Sequence, residues 1–119
     1  MTHPTERLDD DVHQRVRLGV LALLSGVARA DFVHIKTTLA TTDGNLGRHL
    51  QVLEDAGLIS MARVLEGRRP RMWVKITRKG RVALRAEVDA LKEIVAMVDE
   101  PLNDTRFRPG SIIVNPASA

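Results

Sequence analysis

Val12, Val16, Val20, Leu23, Leu24 and Val27 recur at helical spacing. That stripe predicts a first helix from about Asp10 to Arg29. Asp9 to Asp11 would lie at its positive end and Arg29 at its negative end, as the helix dipole favours. Leu18 and Leu21 fall off the stripe and give this helix a second apolar face. Phe32, Ile35 and Leu39 then mark the inner face of a short second helix capped by Asp31. After a break at Ala40–Thr41, Thr42 caps a third helix over 42–56, and Gly57 is the natural residue to end it. Leu46, Leu50 and Leu53 share one face of that helix and are its core positions. Leu58–Leu65 and Met72–Thr77 are rich in apolar and β-branched residues, with EGRRPR between them. They predict a β-hairpin with a six-residue basic loop. Thr77 caps a long fourth helix, from about Arg78 to Val98, which Asp99, Glu100 and Pro101 end.

The order is helix, helix, helix, strand, basic loop, strand, helix. The fold class is therefore mainly α with a small β-hairpin (α+β). Two short helices joined by a tight turn, with a hairpin after the second, make a winged helix-turn-helix. Residues 1–98 form the folded unit in this reading. Residues 99–119 have no helical period and are expected to be a loosely ordered tail.

The fourth helix carries more apolar surface than one core needs. Leu84, Val88, Leu91, Val95 and Val98 are spaced four, three, four, three, which is a heptad seam. Ala83, Ala86, Ala90, Ile94 and Met97 run beside it. Two stripes on one helix ask for two partners, since so much exposed apolar surface is unusual in a soluble monomer. The expected second partner is another copy of the chain. Its interface is expected at Leu18, Leu21, Leu84, Val88, Leu91, Ile94, Val95 and Val98. Glu87, Asp89 and Glu93 lie outside the seam and are expected to keep this end of the molecule away from DNA phosphates.

The net charge is only +3, but it is unevenly placed. Nine Lys or Arg face one acid between Met61 and Arg85, and six acids face Lys92 between Ala86 and Asp104. A basic patch centred on a hairpin fits a polyanion partner. Arginine outnumbers lysine fourteen to four, and its planar fork suits phosphates and base edges better. The absence of cysteine removes disulfides, thiolate zinc sites and thiol redox chemistry. The longest apolar run is far short of the ~18 residues of a membrane span, so a soluble cytoplasmic protein is expected. No nucleophile motif surrounds the serines, no phosphate-binding loop is present, and neither an enzyme nor a cofactor is expected. His13, His34 and His49 lack ligand-spaced partners, so no metal site is expected.

The third helix turns Gly44, Asn45, Arg48, Gln51 and Val52 away from its core face, with Gly47 and His49 on the flanks. Asn and Gln can read adenine, and Arg can read guanine, through paired hydrogen bonds. Two glycines in the first turns of a helix cost about 1 kcal/mol each relative to alanine. Gly44 points outward near the helix start, where a missing side chain admits a close approach by a DNA backbone. Gly47 is expected to allow tight packing against the second helix. Candidate DNA contacts are thus Thr42, Gly44, Asn45, Arg48, His49 and Gln51, with Arg68, Arg69 and Arg71 on the loop. The helix over 42–56 would enter the major groove and the 66–71 wing the minor groove or backbone.

T-D-G-N-L-x-x-H-L at Thr42–Leu50, L-E-x-A-G at Leu53–Gly57, G-R-R-P-R at Gly67–Arg71 and I-T-x-x-G-R at Ile76–Arg81 resemble a known family. It is the small single-domain winged-helix transcriptional regulators related to the MarR and ArsR groups, and the resemblance spans Leu8 to Leu91. It implies a homodimeric DNA-binding repressor or activator, and a repressor is the reading taken; reading helices about 34 Å apart would meet successive major grooves, so the duplex is expected to be an imperfect palindrome. The resemblance also allows an unknown small-molecule effector. Gly47 stands where the family usually has serine. The rival reading is a winged helix used as a protein-interaction module without sequence-specific DNA binding; such modules usually lose the positive face that this chain keeps.

Overall fold

The computed structural model describes residues 3–100. A 3-10 turn at Pro4–Arg7 leads to α1 (Arg15–Ser25), β1 (Ala30–Asp31), α2 (Phe32–Thr38), α3 (Asp43–Asp55), β2 (Ile59–Glu66), β3 (Arg69–Ile76) and α4 (Arg78–Asp99). Of the expected tail, Asp99 closes α4 and Glu100 is its C-cap, and residues 101–119 lie outside the described residues.

The helix starts follow their caps. Asp31 accepts from His34 N, Thr42 from Asn45 N and Thr77 from Gly80 N, each satisfying a first-turn donor that the helix leaves unpaired. Gly57 ends α3 at φ +78. The turn between α2 and α3 has no glycine, and Ala40 takes the left-handed conformation at φ 52. That costs an L-residue roughly 1–2 kcal/mol.

α1 is shorter than its stripe implied. The helix begins at Arg15, because Gln14 is extended and its side chain accepts from Val16 N and Arg17 N. Val12 is buried all the same, in the turn before the helix. Its burial imitates a helical period that the backbone does not follow. At the other end α1 stops at Ser25, and Val27 is exposed.

The hairpin also differs from expectation. Its strands run out to Glu66 and Arg69, leaving a two-residue turn at Gly67–Arg68 instead of a six-residue loop. Gly67 supplies the positive φ of +67 that such a turn requires. Strand β1 was not visible in the sequence. Its two residues pair with Val74 and Trp73, so the sheet order is β1-β3-β2. Trp73 therefore sits on the central strand.

One core joins these elements. Val16, Val20, Leu21 and Leu24 from α1 meet Ile35, Leu46, Leu50, Leu53, Leu58, Ile59, Val74, Ile76 and Leu84. Gly80 fixes how closely α4 leaves the hairpin. A Cβ there would overlap the Leu58 carbonyl oxygen and lie 2.8 Å from Ile76 Cγ1. Thr77 locks the same corner: its N donates to Leu58 O at 3.0 Å and its hydroxyl to Gly57 O at 2.7 Å.

Two expected interface residues belong to this core. Leu21 is wholly enclosed within the protomer, so it leaves the proposed partner surface. Leu84 is also buried, at the floor of a groove between α1 and α4 lined by Leu18, Ala22, Arg81, Arg85, Val88 and Leu91. Farther along α4, Val95, Met97 and Val98 are more than half exposed. Glu87, outside the seam, is fully buried. Its carboxylate accepts from Asp9 N at 3.1 Å and meets His13 Nδ1 at 2.6 Å. The N-terminal segment is thereby folded over α4, where Arg7 also pairs with Glu93.

Candidate nucleic-acid interface

α3 presents its polar residues as a linked row. Asn45 Nδ2 donates to Thr41 Oγ1 at 2.8 Å, and Arg48 Nη2 donates to Asn45 Oδ1 at 2.8 Å. Gln51 Nε2 donates to Asp55 Oδ1 at 2.9 Å. Thr42, Gly44, Arg48 and Gln51 are exposed, and Asn45 is half-buried. Arg48 uses one of its five N–H donors on Asn45, which fixes the head and leaves the rest of the fork free. The acids near this row are engaged: Asp43 pairs with Lys36 at 2.8 Å, and Asp55 holds Gln51.

The two glycines of α3 separate. A Cβ at Gly44 would meet nothing within 4 Å, and the residue is exposed, so an outside body can approach the helix there. A Cβ at Gly47 would also meet nothing within 4 Å. Tight packing against α2 is therefore not the reason for Gly47, and nothing in the structure explains it.

His49 does not share the exposed row. It is buried against α1, where Arg17 Nη1 lies 3.2 Å from its Nδ1. Burial lowers its pKa first, and the charges of Arg17, Arg48 and Arg15 lower it further. The neutral ring can then accept from Arg17. Arg17 also holds the carbonyls of Asp11 and Asp10, at 2.8 and 3.1 Å. His49 thus ties α3 to the N-terminal segment and is not a free contact, a role that its flank position on the helix gave no sign of. His13 and His34 lie elsewhere, and no group of three or more metal-ligating side chains forms among the described residues.

On the wing, Arg68 and Arg69 are exposed and have no carboxylate within ion-pair distance among the described residues. Arg71 differs. Its guanidinium meets Glu66 Oε1 at 3.0 Å and Asp31 Oδ2 at 3.4 Å. Arg63 and Lys75 add exposed positive positions along the strands. The arginines of the wing are therefore of two kinds, open cations at the tip and one, Arg71, already matched.

No helix among the described residues is long and apolar enough to cross a membrane. The winged helix DNA-binding domain family matches residues 16–95. An uncharacterised protein of Methanocaldococcus jannaschii is 41% identical over 70 residues, covering 59% of this chain and 76% of that protein. The structure of a transcriptional regulator homologue from Pyrococcus horikoshii OT3 is similar at a TM-score of 0.76 and 32% identity, over 83% of this chain and 99% of that one. The M. tuberculosis transcriptional regulator MOSR, solved in complex with DNA, shares the fold at a TM-score of 0.64 and 21% identity, over 85% of this chain and 72% of that one. The element order, the capped helix pair, the two-stranded wing and these likenesses agree: the chain belongs to the winged-helix DNA-binding domain family, among relatives that are transcriptional regulators.

Proposed function

We propose that the protein is a homodimeric transcriptional regulator, acting as a repressor, that reads an imperfectly palindromic duplex. α3 enters the major groove and the Gly67–Arg68 turn reaches the minor groove or backbone. The observation that carries this reading is the set of unmatched cations: Arg48 on α3, and Arg68 and Arg69 at the wing tip, with no carboxylate in ion-pair distance among the described residues. Arg48 is steadied by Asn45, so its fork is held for a guanine edge. The exposed Gly44 at the start of α3 lets a phosphate approach the free N–H groups.

A dimer would cover the apolar surface that one protomer leaves open. The α1–α4 groove, with Leu18, Val88 and Leu91, continues toward the exposed Val95 and Val98. Two such protomers would set their α3 helices about 34 Å apart, one helical turn of duplex.

Binding to operator variants tests this directly. Arg48→Ala should flatten the preference among variants, at about 1–3 kcal/mol for the lost base contact. Roughly six neutralised phosphates per dimer would give a slope of log K against log salt near −5. A slope shallower than about −2, or an unchanged preference order in Arg48→Ala, would point to a protein-interaction module instead. Sedimentation equilibrium of Leu91→Asp and Val95→Asp tests the dimer: a monomeric parent, or a folded variant that still pairs, overturns it.

A further inference from the structure

The hairpin reaches well past its support. β1 pairs with β3 only at Val74 and Trp73. From Met72 outward, β2 and β3 form a two-stranded ribbon, and such ribbons are only marginally stable alone in water. Something must set the angle of this ribbon against the body, because a displaced wing tip misses its groove.

We infer that Arg71 is a positioning residue, the pin of a brace that joins the wing to the start of α2. This rests on the DNA-binding reading above. The register explains the geometry. Glu66 pairs with Arg69 and Asp31 with Trp73, so Arg71 lies diagonally between two acids on one face of the sheet. Its two terminal nitrogens use both: Nη1 meets Glu66 on β2, and Nη2 meets Asp31 on β1. Asp31 is itself fixed, since its Oδ1 caps α2 by accepting from His34 N at 2.7 Å. The Arg71 guanidinium also lies 5.3 Å from the centre of the Trp73 ring, and that of Arg29 lies 3.8 Å from it. Cations at those distances are attracted to the ring face. Arg29 comes from the segment between α1 and β1, so three parts of the chain meet at one tryptophan.

The brace separates Arg71 from its neighbours in the same basic run. Two carboxylates already answer its charge, and a DNA phosphate would have to displace them. Arg68 and Arg69 face no such competition among the described residues. Arg71 therefore acts on DNA through where it holds the tip, and the tip arginines act by contact.

Asp31→Asn and Arg71→Gln test this together. Asparagine caps a helix about as well as aspartate, so Asp31→Asn removes the ion pair and keeps α2. Both variants should weaken operator binding by up to about fivefold, what an exposed ion pair can transmit. Both should keep the parent's salt slope, since no phosphate contact is lost. The double variant should bind no worse than either single, because both break one unit. A phosphate-contacting Arg71 gives the opposite pattern: Arg71→Gln would flatten the slope by about 0.9 per contact, and Asp31→Asn would bind tighter. Either result overturns the brace, as does unchanged binding in both. Amide exchange of the free protein judges it without DNA. Asp31→Asn should speed exchange over 63–71 and leave 46–53 as in the parent; unchanged exchange over 63–71 overturns the brace. A parent that binds no duplex, with exchange raised as described, would overturn the regulator reading and keep the brace.

Discussion

At the base of the hairpin Ile59 and Ile76 pair across the strands and are buried, and Gly80 of α4 has no room for a β-carbon. At the tip of the same hairpin Glu66 and Arg69 pair in the open, and Arg68 stands in the turn with nothing packed on it. The two ends share strands, register and hydrogen bonding. They differ in what their side chains do. At the base, side-chain volume is the constraint, since a close-packed corner cannot take one more methyl group. At the tip, charge is the constraint, and volume is nearly free. Packing and charge are thus separated along the eight residue pairs of one ribbon.

Gly80→Ala should show the largest effect. The added methyl overlaps the Leu58 carbonyl oxygen, which is backbone and cannot rotate away. α4 would have to lift off the hairpin base, breaking the Thr77 contacts to Gly57 and Leu58. The expected destabilisation is about 3 kcal/mol or more, read as a fall in Tm of at least about 10 °C. A variant within about 1 kcal/mol of the parent would show that the base is not packed as described.

Arg69→Ala sharpens the contrast from the other end. Its stability should stay within about 0.5 kcal/mol of the parent, as for any exposed position away from packing. Binding to all duplex sequences should weaken about equally, and the salt slope should fall by about 0.9 per lost phosphate contact. Fluorescence anisotropy at several salt concentrations reads both quantities. Weakening confined to one operator variant would make Arg69 a base contact and move specificity onto the wing.

The same division decides what could be read from the sequence. Caps were legible because the chemistry is local: Asp31, Thr42 and Thr77 each accept from the donor their spacing implies. The α3 core face was legible because Leu46, Leu50 and Leu53 repeat with the helix. Features that depend on a distant partner were not. Ala30–Asp31 is too short to show a strand period, and only Val74 and Trp73 make it one. Glu87 looks like a solvent residue until the N-terminal segment folds over it and supplies Asp9 N and His13. Leu21 looks like a surface for a partner until the protomer's own core closes around it. The outer half of the hairpin failed for another reason. Arg69, Pro70 and Arg71 carry no apolar alternation, because strand pairing there is made by the backbone and both faces are open. Of the proposed contact row on α3, Thr42, Gly44, Asn45, Arg48 and Gln51 keep at least partial exposure, and His49 does not.

His49 asks where the division falls on α3, and its effect should be the smallest. It sits among candidate contact residues by sequence but behaves like the hairpin base: buried, and held by Arg17. Its folded pKa is lowered from 6.5, chiefly by burial and then by Arg17, Arg48 and Arg15. The sign follows from linkage. Below pH 6.5 the unfolded chain takes up a proton at this residue that the folded protein resists, so unfolding is favoured as pH falls. Above 6.5 the residue is neutral in both states and adds no pH slope. His49→Gln keeps a polar group of similar size and removes the titration. Urea unfolding of parent and variant between pH 7.5 and 5.5 should therefore converge as pH falls, with the parent losing stability that the variant never depended on. Parallel curves through that window would mean that His49 is as free to take a proton in the fold as out of it. The residue would then belong with the open cations of the wing tip, and the Arg17 tie would not hold α3 in solution.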